Sequence, residues 1–178
     1  LKRLKQFWKE FPGEKVVVFT HSTLAVGPLC EWLSRKLDSE DVLSFGGHQD
    51  LAEREENARR FQQDDQCHVM VSDPLGGEGR NFQFVSVVAH VDVPWSVAAV
   101  EQRIGRVDRL GRDGEVPSWI MTPDMADAPD RAWVKMLDEA VEVFSRSSSG
   151  LELLAPQIEC RCAEQIVQES AEALCDAV

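Results

Sequence analysis

One stretch near the N-terminus carries strand and helix signals in succession: KVVVFTHSTLAVGPLCEWLSRKLDSEDVLSF, residues 15–45. Its first run, KVVVF (15–19), is short, apolar and β-branched, which is typical of a strand buried on both faces. Ser22 or Thr23 can cap the helix that follows, and VLSF (42–45) predicts a second strand. The order strand, helix, strand indicates the first unit of a parallel sheet.

The helix of this unit carries two finer expectations. Pro28 lacks an amide hydrogen, so it is expected in the first turn of the helix, where that donor has no partner in any case. The helical spacing of the apolar residues also predicts which of them face the core. They are Leu29, Trp32, Leu33 and Leu37.

The same alternation continues along the chain as far as residue 121. Helical spacing of apolar residues predicts a helix over residues 2–11, and Asp50 is expected to cap another. In the helix capped by Asp50, the residues expected to face inward are Leu51, Ala58 and Phe61. Further strands are predicted at CHVMV (67–71), VSVVAHVDV (85–93) and VPSWIM (116–121). The pattern predicts an α/β fold in which helices cover a parallel sheet.

The remaining segments are predicted to be helical. Ser96 opens a helix that runs to about Leu110, with a core stripe made of Val97, Val100, Ile104 and Val107. Residues 127–145 and 151–178 also read as helices, separated by a serine-rich break. The first has an apolar stripe of Trp133, Leu137, Val141 and Phe144. We therefore expect a sheet lobe over residues 1–123, with a lead-in helix, and a helical extension over residues 124–178.

Composition excludes several classes of protein. The 178 residues include 31 acidic and 19 basic residues, a net charge of −12, which disfavours a compact basic nucleic-acid module. Residues 122–178 account for a charge of −8, so the predicted sheet lobe is only mildly acidic. The apolar runs are far shorter than the roughly 20 residues of a membrane span. Five cysteines without a CxxC pair are typical of a cytosolic protein with reduced thiols, and Cys160-x-Cys162 is at most half of a metal site.

The most informative segment is EQRIGRVDRLGR (101–112), because its arginines recur at a regular spacing. Arg103, Arg106 and Arg109 are three residues apart, which places the last two on one helical edge. The planar guanidinium forms two parallel hydrogen bonds with phosphate and keeps its charge. Two such groups can stabilise the charge that spreads over a γ-phosphate during transfer. The alternative interpretation is a surface face that is salt-bridged to nearby acidic residues.

Four blocks of this sequence resemble one protein family. QRIGRVDR (102–109) resembles motif VI of superfamily-two helicases and Swi/Snf-type translocases, and residues 72–112 resemble motifs V to VI of their bacterial RapA/HepA branch. KVVVFTHS (15–22) is similar to motif IV, and FGGHQDLAEREENARRF (45–61) to the block that follows it. The resemblance covers about residues 15–121. It implies a C-terminal RecA-like lobe, whose parallel sheet carries helices on both faces.

The resemblance implies a set of residues that face ATP. Arg106 and Arg109 correspond to arginine fingers that reach the γ-phosphate of an ATP molecule bound mainly by another lobe. Motif V corresponds to a contact with the ribose, and the start of motif VI to a contact with the partner lobe that couples hydrolysis to closure. The cofactor-side residues added in this way are Gly79, Asn81, Gln102 and Arg103.

A second implied set faces the nucleic-acid backbone. Its members are Thr20, His21, Gly46, Gly47 and Ser72. Relatives often carry Ser or Thr at the position of Gly47, so one phosphate contact here either comes from the backbone or is lost. Simpler interpretations remain open: His21 is also compatible with a polar loop residue and Ser72 with a turn cap, and Asp92 reads as a turn residue at a strand end.

The chain contains neither a G-x-x-x-x-G-K-[ST] loop nor an Asp-Glu pair after a strand. ATP and Mg²⁺ are therefore expected to be held mainly by an N-terminal RecA-like lobe of the same protein. Because the chain also begins at Leu1 rather than at Met, we expect it to be a fragment that is inactive alone.

The resemblance implies an ATP-hydrolysing translocase that contacts the backbone of nucleic acid, with double-stranded DNA as the first candidate. RNA polymerase or another protein is a further candidate partner, and no membrane is involved. The expected location is the bacterial cytosol or nucleoid. Two alternatives remain: a scaffold module derived from a helicase lobe, and an unwinding helicase of another superfamily-two branch.

Overall fold

The computed structural model describes residues 1–37, 42–74, 82–107, 116–122, 124, 128–139, 141–144 and 155–168. The chain divides into two compact units, each built from separate segments. Unit one comprises Leu1–Val91 and Arg106–Trp119, and unit two comprises Asp92–Gly105 and Ile120–Val178.

The described residues form helices and strands that alternate along most of the chain. In order they are α1 (Lys2–Glu10), β1 (Val16–Phe19), α2 (Thr23–Leu37), β2 (Val42–Phe45), α3 (Leu51–Gln63), β3 (Val69–Ser72), β4 (Val87–His90), α4 (Val97–Gly105), β5 (Ser118–Ile120), α5 (Pro129–Glu139) and α6 (Ala155–Gln168). None of the helices in the described ranges is long and apolar enough to cross a membrane.

The strands form one sheet in the order β2-β3-β1-β4-β5. Strand β1 is parallel to both β3 and β4, and β2 is parallel to β3. In register, Phe19 pairs with Ser72 on one side and with His90 on the other. Because parallel neighbours end at the same edge, the loops that follow β1, β2 and β3 meet there. The prediction of a parallel sheet is confirmed.

The central strand β1 is covered on both faces, as its continuous apolar run predicts. Successive side chains of a strand point to opposite sides of the sheet. Val17 and Phe19 accordingly pack in a cluster with Phe61 of α3. Val16 and Val18 pack in a second cluster with the buried residues of α1 and α2. Helices therefore lie on both faces of the sheet, as expected.

Helix α2 differs from the prediction in two respects. It begins at Thr23, so Pro28 lies in its second turn rather than its first. Leu24, whose carbonyl would accept the hydrogen bond that Pro28 cannot donate, is an exposed residue, at 88%. Trp32 is 41% exposed rather than buried, because the core-facing stripe of the helix passes through Val26 and Leu33.

Helix α3 shows how local chemistry fixes a helix start. The Asp50 side chain accepts a hydrogen bond from the Glu53 amide at 2.8 Å, which confirms the predicted cap. Phe61 is fully buried, as expected. Leu51 is 65% exposed, so its predicted inward position is wrong. As the first helical residue, it lies outside the stripe that contacts the sheet.

Unit two is a helical cluster with its own core. Val97 and Val100 of α4 pack with Trp133 and Leu137 of α5 and with residues of α6. The Trp133 indole donates to the carbonyl of Pro94 at 2.9 Å. The apolar stripe predicted for residues 133–144 is therefore packed, as expected. Residues 92–105 belong to this cluster, so the two units are not separated at a single point near residue 123.

Helix α4 is shorter than predicted. It ends at Gly105 rather than near Leu110, and its predicted stripe divides between two cores. Val97 and Val100 belong to the core of unit two, whereas Val107 belongs to a core of unit one. The carbonyl of the next residue, Arg106, accepts the amide of Phe82 at 2.8 Å, a bond that lies outside the helix.

Candidate functional site

The loops predicted to face nucleic acid lie at the carboxyl edge of the sheet in unit one. The Thr20 amide donates to the Ser72 carbonyl at 3.0 Å, which joins the ends of β1 and β3. The Asp73 amide donates to the Phe45 carbonyl at 3.4 Å, which joins the end of β3 to that of β2. The structure thus brings the predicted residues of three loops to one edge.

Two of the predicted hydroxyl groups at this edge are buried. Thr20 is 1% exposed, and its hydroxyl accepts a hydrogen bond from the Ser22 amide at 3.2 Å. Ser72 is fully buried, and its hydroxyl donates to the Asp73 carbonyl at 3.2 Å. Both hydroxyls are therefore engaged within the fold. The predicted residues that are exposed at this edge are His21 and Gly47.

The Gly46-Gly47 loop is held by two side chains that the sequence did not single out. The Gly46 amide donates to the Gln49 side-chain oxygen at 3.0 Å. The Gly47 amide donates to the Asp73 carboxylate at 2.9 Å. Both acceptor residues are buried, Gln49 at 6% exposure and Asp73 at 0%. A carboxylate directly after a buried strand is the signal that could have pointed to Asp73.

Gly46 is required by its surroundings. A Cβ atom built on it would lie 2.8 Å from Nδ1 of His48 and 3.0 Å from Oδ2 of Asp73. The His48 side chain is exposed and can move, but the Asp73 carboxylate is buried and engaged with Gly47. A glycine at this position therefore keeps the loop close to the carboxylate.

The proposed arginine finger Arg106 lies beside the end of motif V. It is half-buried, and its carbonyl accepts the amide of Phe82 at 2.8 Å. Phe82, which directly follows Asn81 in the sequence, and Arg106 both belong to unit one. The predicted site residues Gly79, Asn81 and Arg109 lie outside the described residues.

Gln102 and Arg103 lie on α4 in unit two, where their environments differ. Gln102 is exposed, whereas Arg103 is 4% exposed. The Arg103 guanidinium donates to the Asp92 carbonyl at 2.6 Å and to its carboxylate at 3.1 Å. Burial lowers the pKa of Arg103, and the hydrogen bond and charge of Asp92 act in the opposite direction. An arginine stays protonated under such conditions, so a charged pair lies inside this unit.

This pair gives Asp92 a role that a turn residue at a strand end does not have. It joins the segment after β4 to the buried face of α4, one helical turn beyond Val100. An arginine three residues after a buried valine lies on the same helical face, which is the signal that could have indicated its burial.

The described residues contain no group of three or more His, Cys, Asp or Glu side chains arranged to hold a metal ion. Cys160 is exposed on α6 and Cys162 is buried. The two thiols of the Cys160-x-Cys162 pair thus lie in different environments.

Residues 1–111 match the family model of the helicase conserved C-terminal domain. The chain belongs to this family. Among curated proteins, it is 32% identical over 136 residues to the RNA polymerase-associated protein RapA of Yersinia pestis (strain Pestoides F). The same values apply to RapA of Yersinia pseudotuberculosis (serotype O:1b, strain IP 31758). Each match covers 76% of this chain and 14% of the relative.

Solved structures with the same fold come from several helicase-like ATPases. The Sulfolobus solfataricus SWI2/SNF2 ATPase core in complex with dsDNA matches with a TM-score of 0.64 and 21% identity, over 89% of this chain and 31% of that one. Domain 2 of the Mss116p DEAD-box helicase, bound to an RNA duplex, matches with a TM-score of 0.63 and 20% identity. This match covers 98% of this chain and 75% of that one. The C-terminal part of the Fun30 ATPase domain matches with a TM-score of 0.62 and 18% identity. This match covers 99% of this chain and 54% of that one.

These likenesses confirm two expectations from the sequence. The RapA relatives and the family match confirm the resemblance to a C-terminal helicase lobe. The neighbours confirm the RecA-like α/β fold. The chain spans about one seventh of the length of the curated relatives it matches.

Proposed function

We propose that this chain is the C-terminal lobe of an ATP-dependent nucleic-acid translocase, working with an N-terminal RecA-like lobe of the same protein. The observation that carries the proposal is the hydrogen bond between the Phe82 amide and the Arg106 carbonyl, 2.8 Å long. It joins a residue of the segment that resembles motif V to a residue of motif VI, within a chain that belongs to the helicase C-terminal domain family.

The proposed catalytic contribution of the lobe is positive charge. The Arg106 guanidinium keeps its charge at any physiological pH and can form two parallel hydrogen bonds with a phosphoryl group. Placed against the γ-phosphate, it would stabilise the negative charge that accumulates during transfer. We assign Arg109 the same role, and Gly79 and Asn81 the contact with the ribose.

ATP and Mg²⁺ are assigned mainly to the other lobe, because this sequence has no phosphate-binding loop with a lysine. When bound, Mg²⁺ neutralises charge between the β- and γ-phosphates. The exposed amide of Gln102 is proposed to contact the other lobe. For Arg103, the bonds to Asp92 favour a supporting role over direct contact with the cofactor.

The proposed nucleic-acid surface is the carboxyl edge formed by β1, β2 and β3. Its exposed residues include His21, Gly47 and His48, and contacts to the phosphate backbone would carry little sequence preference. We favour double-stranded DNA, because the Sulfolobus solfataricus SWI2/SNF2 ATPase core was solved in complex with dsDNA. RNA polymerase is a further proposed partner, since the curated relatives carry that association in their name. The proposed location is the bacterial cytosol or nucleoid.

An ATPase assay tests the proposal. The protein with both lobes should hydrolyse ATP faster when duplex DNA is added, whereas the 178-residue chain alone should show no meaningful turnover. Strong hydrolysis by this chain alone would contradict the assignment of ATP to the other lobe.

The same assay separates the alternatives. A scaffold module would give no turnover with either DNA or RNA, even with both lobes present. The presence of both Arg106 and Arg109 favours an active lobe, because a scaffold does not need them. A helicase of another branch would displace a strand from a partial duplex. The likeness to a DEAD-box helicase domain bound to an RNA duplex supports this alternative.

A further inference from the structure

The Gly46-Gly47 loop at the carboxyl edge already binds an anionic group from its own chain. The Gly47 amide, on an exposed residue, donates to the carboxylate of Asp73 at 2.9 Å. Asp73 itself is fully buried. A phosphate oxygen that approached this amide would therefore meet an acceptor already in position.

We propose that Asp73 is a positioning residue that holds the Gly47 amide and keeps nucleic-acid phosphates away from it. The inference rests on the proposed function, because it concerns how the same edge contacts nucleic acid. It assigns phosphate contact to neighbouring exposed groups, such as the side chains of His21 and His48, rather than to the glycine amide. Gly47 thus contributes no phosphate contact.

The charge of Asp73 opposes a phosphate at this amide. A phosphate oxygen within hydrogen-bond distance of the Gly47 nitrogen would lie only a few ångströms from Oδ2 of Asp73. Two negative charges at such a separation repel, and the repulsion is stronger beside a protein surface than in bulk water. The carboxylate therefore competes with phosphate both for the donor and through its charge.

The Gly46-Gly47 loop is also held from both sides. The Gly46 amide donates to Gln49 at 3.0 Å, and the Gln49 side chain donates in turn to Glu53 of α3 at 2.9 Å. A Cβ atom built on Gly46 would lie 3.0 Å from Oδ2 of the buried Asp73, which opposes a larger residue at this position. A loop fixed by these contacts does not release the Gly47 amide without breaking several of them.

The consequence is a limited grip on the nucleic acid. A translocase must bind a strand and release it again in each cycle, so a contact that is too strong would slow its stepping. Asp73 lowers the affinity of this edge for phosphate while keeping the shape of the loop.

The test is Asp73→Asn in the protein with both lobes. Asparagine keeps an oxygen that can accept the Gly47 amide but removes the negative charge. The dissociation constant for duplex DNA, measured by fluorescence anisotropy without nucleotide, should fall about three- to tenfold. The gain should shrink at high salt, because screening weakens the repulsion in the wild-type protein.

Asp65→Asn is the matched control. It removes the same charge from an exposed residue before β3, at the opposite end of that strand from Asp73. It should change the dissociation constant less than twofold, and Asp73→Glu, which keeps the charge, should not tighten binding. If Asp73→Asn does not melt cooperatively, Asp73→Ser is measured in its place, and its dissociation constant for duplex DNA should also fall.

An unchanged or raised dissociation constant in a folded Asp73→Asn protein would overturn the proposal and leave Asp73 with a structural role only. The wild-type protein separates this result from failure of the proposed function. If the wild type binds DNA and DNA stimulates its ATPase, only the assignment of Asp73 fails. If the wild type neither binds nucleic acid nor responds to it, both proposals fail together.

Discussion

At the scale of single residues, the described cysteines differ sharply in their surroundings. Burial raises the pKa of Cys30 to about 12, and its thiol donates to the Leu43 carbonyl at 3.7 Å. Cys67 is buried, and burial also raises the pKa of Cys162. Cys160 is exposed on α6. Because the thiolate is the reactive form, these thiols should differ in their rates of alkylation.

Iodoacetamide labelling at pH 8, followed by peptide mass spectrometry, checks this expectation. Cys160 should be modified first among these four cysteines, since burial raises the pKa of Cys30 to about 12 and Cys67 and Cys162 are buried. The same labelling in denaturant is the control and should modify all four. Equal rates for Cys30 and Cys160 in the native protein would show that Cys30 is not protected.

Residues whose partners are close in the chain could be predicted, and those with distant partners could not. The Asp50 cap bonds to an amide three residues away, so its sequence pattern contains both groups. The acceptor of the Gly47 amide is Asp73, 26 residues later, and no local pattern joins them. The sequence therefore pointed to the glycine loop but not to the carboxylate that holds it.

At the scale of elements, removing Asp92 from its ion pair with Arg103 of α4 should cost more unfolding free energy than removing Arg103. The Arg103 side chain is 5% exposed and that of Asp92 is 39% exposed. Asp92→Ala leaves a buried guanidinium without its counter-ion and should cost about 3 kcal/mol or more of unfolding free energy. Arg103→Met leaves a carboxylate that water can reach, so it should cost only about 1–2 kcal/mol.

Urea denaturation followed by tryptophan fluorescence measures the difference in unfolding free energy between the two variants. The probe is suitable because the rings of Trp95 and Trp133 stack within the same unit, with their centroids 4.8 Å apart. Lys135→Ala is the control. It removes one partner of an exposed pair with Glu139 and should change stability by less than about 0.5 kcal/mol. Equal losses for Asp92→Ala and Arg103→Met would contradict the asymmetry.

The strands were easier to predict than the ends of the helices. Each described strand overlaps a predicted segment, because short β-branched runs identify buried strands directly, and β3 extends one residue beyond its predicted segment, to Ser72. The end of α4 was wrong because the bond from Phe82 to the Arg106 carbonyl is not local. Pro28 was placed too early because propensity does not include the solvent exposure of the preceding turn.

At the scale of the whole molecule, the family could be predicted from the sequence, whereas the division into units could not. Four motifs in a fixed order identify a helicase lobe even when single blocks are weak. The division depends on contacts between residues 92–105 and helices much later in the chain, such as that of the Val97 amide with Glu159 at 2.7 Å. Hydrophobic periodicity predicts that a face is buried and does not identify which element covers it.

The central proposal is that Arg106 completes an ATP site whose other parts lie on another lobe. The most direct measurement is the DNA-stimulated ATPase rate of the two-lobed protein carrying Arg106→Ala. Arg35→Ala, an exposed arginine on α2, is the control and should leave kcat unchanged. We predict that kcat of Arg106→Ala falls about 10³-fold or more, with the melting temperature preserved. An unchanged kcat in a folded Arg106→Ala protein would contradict the account.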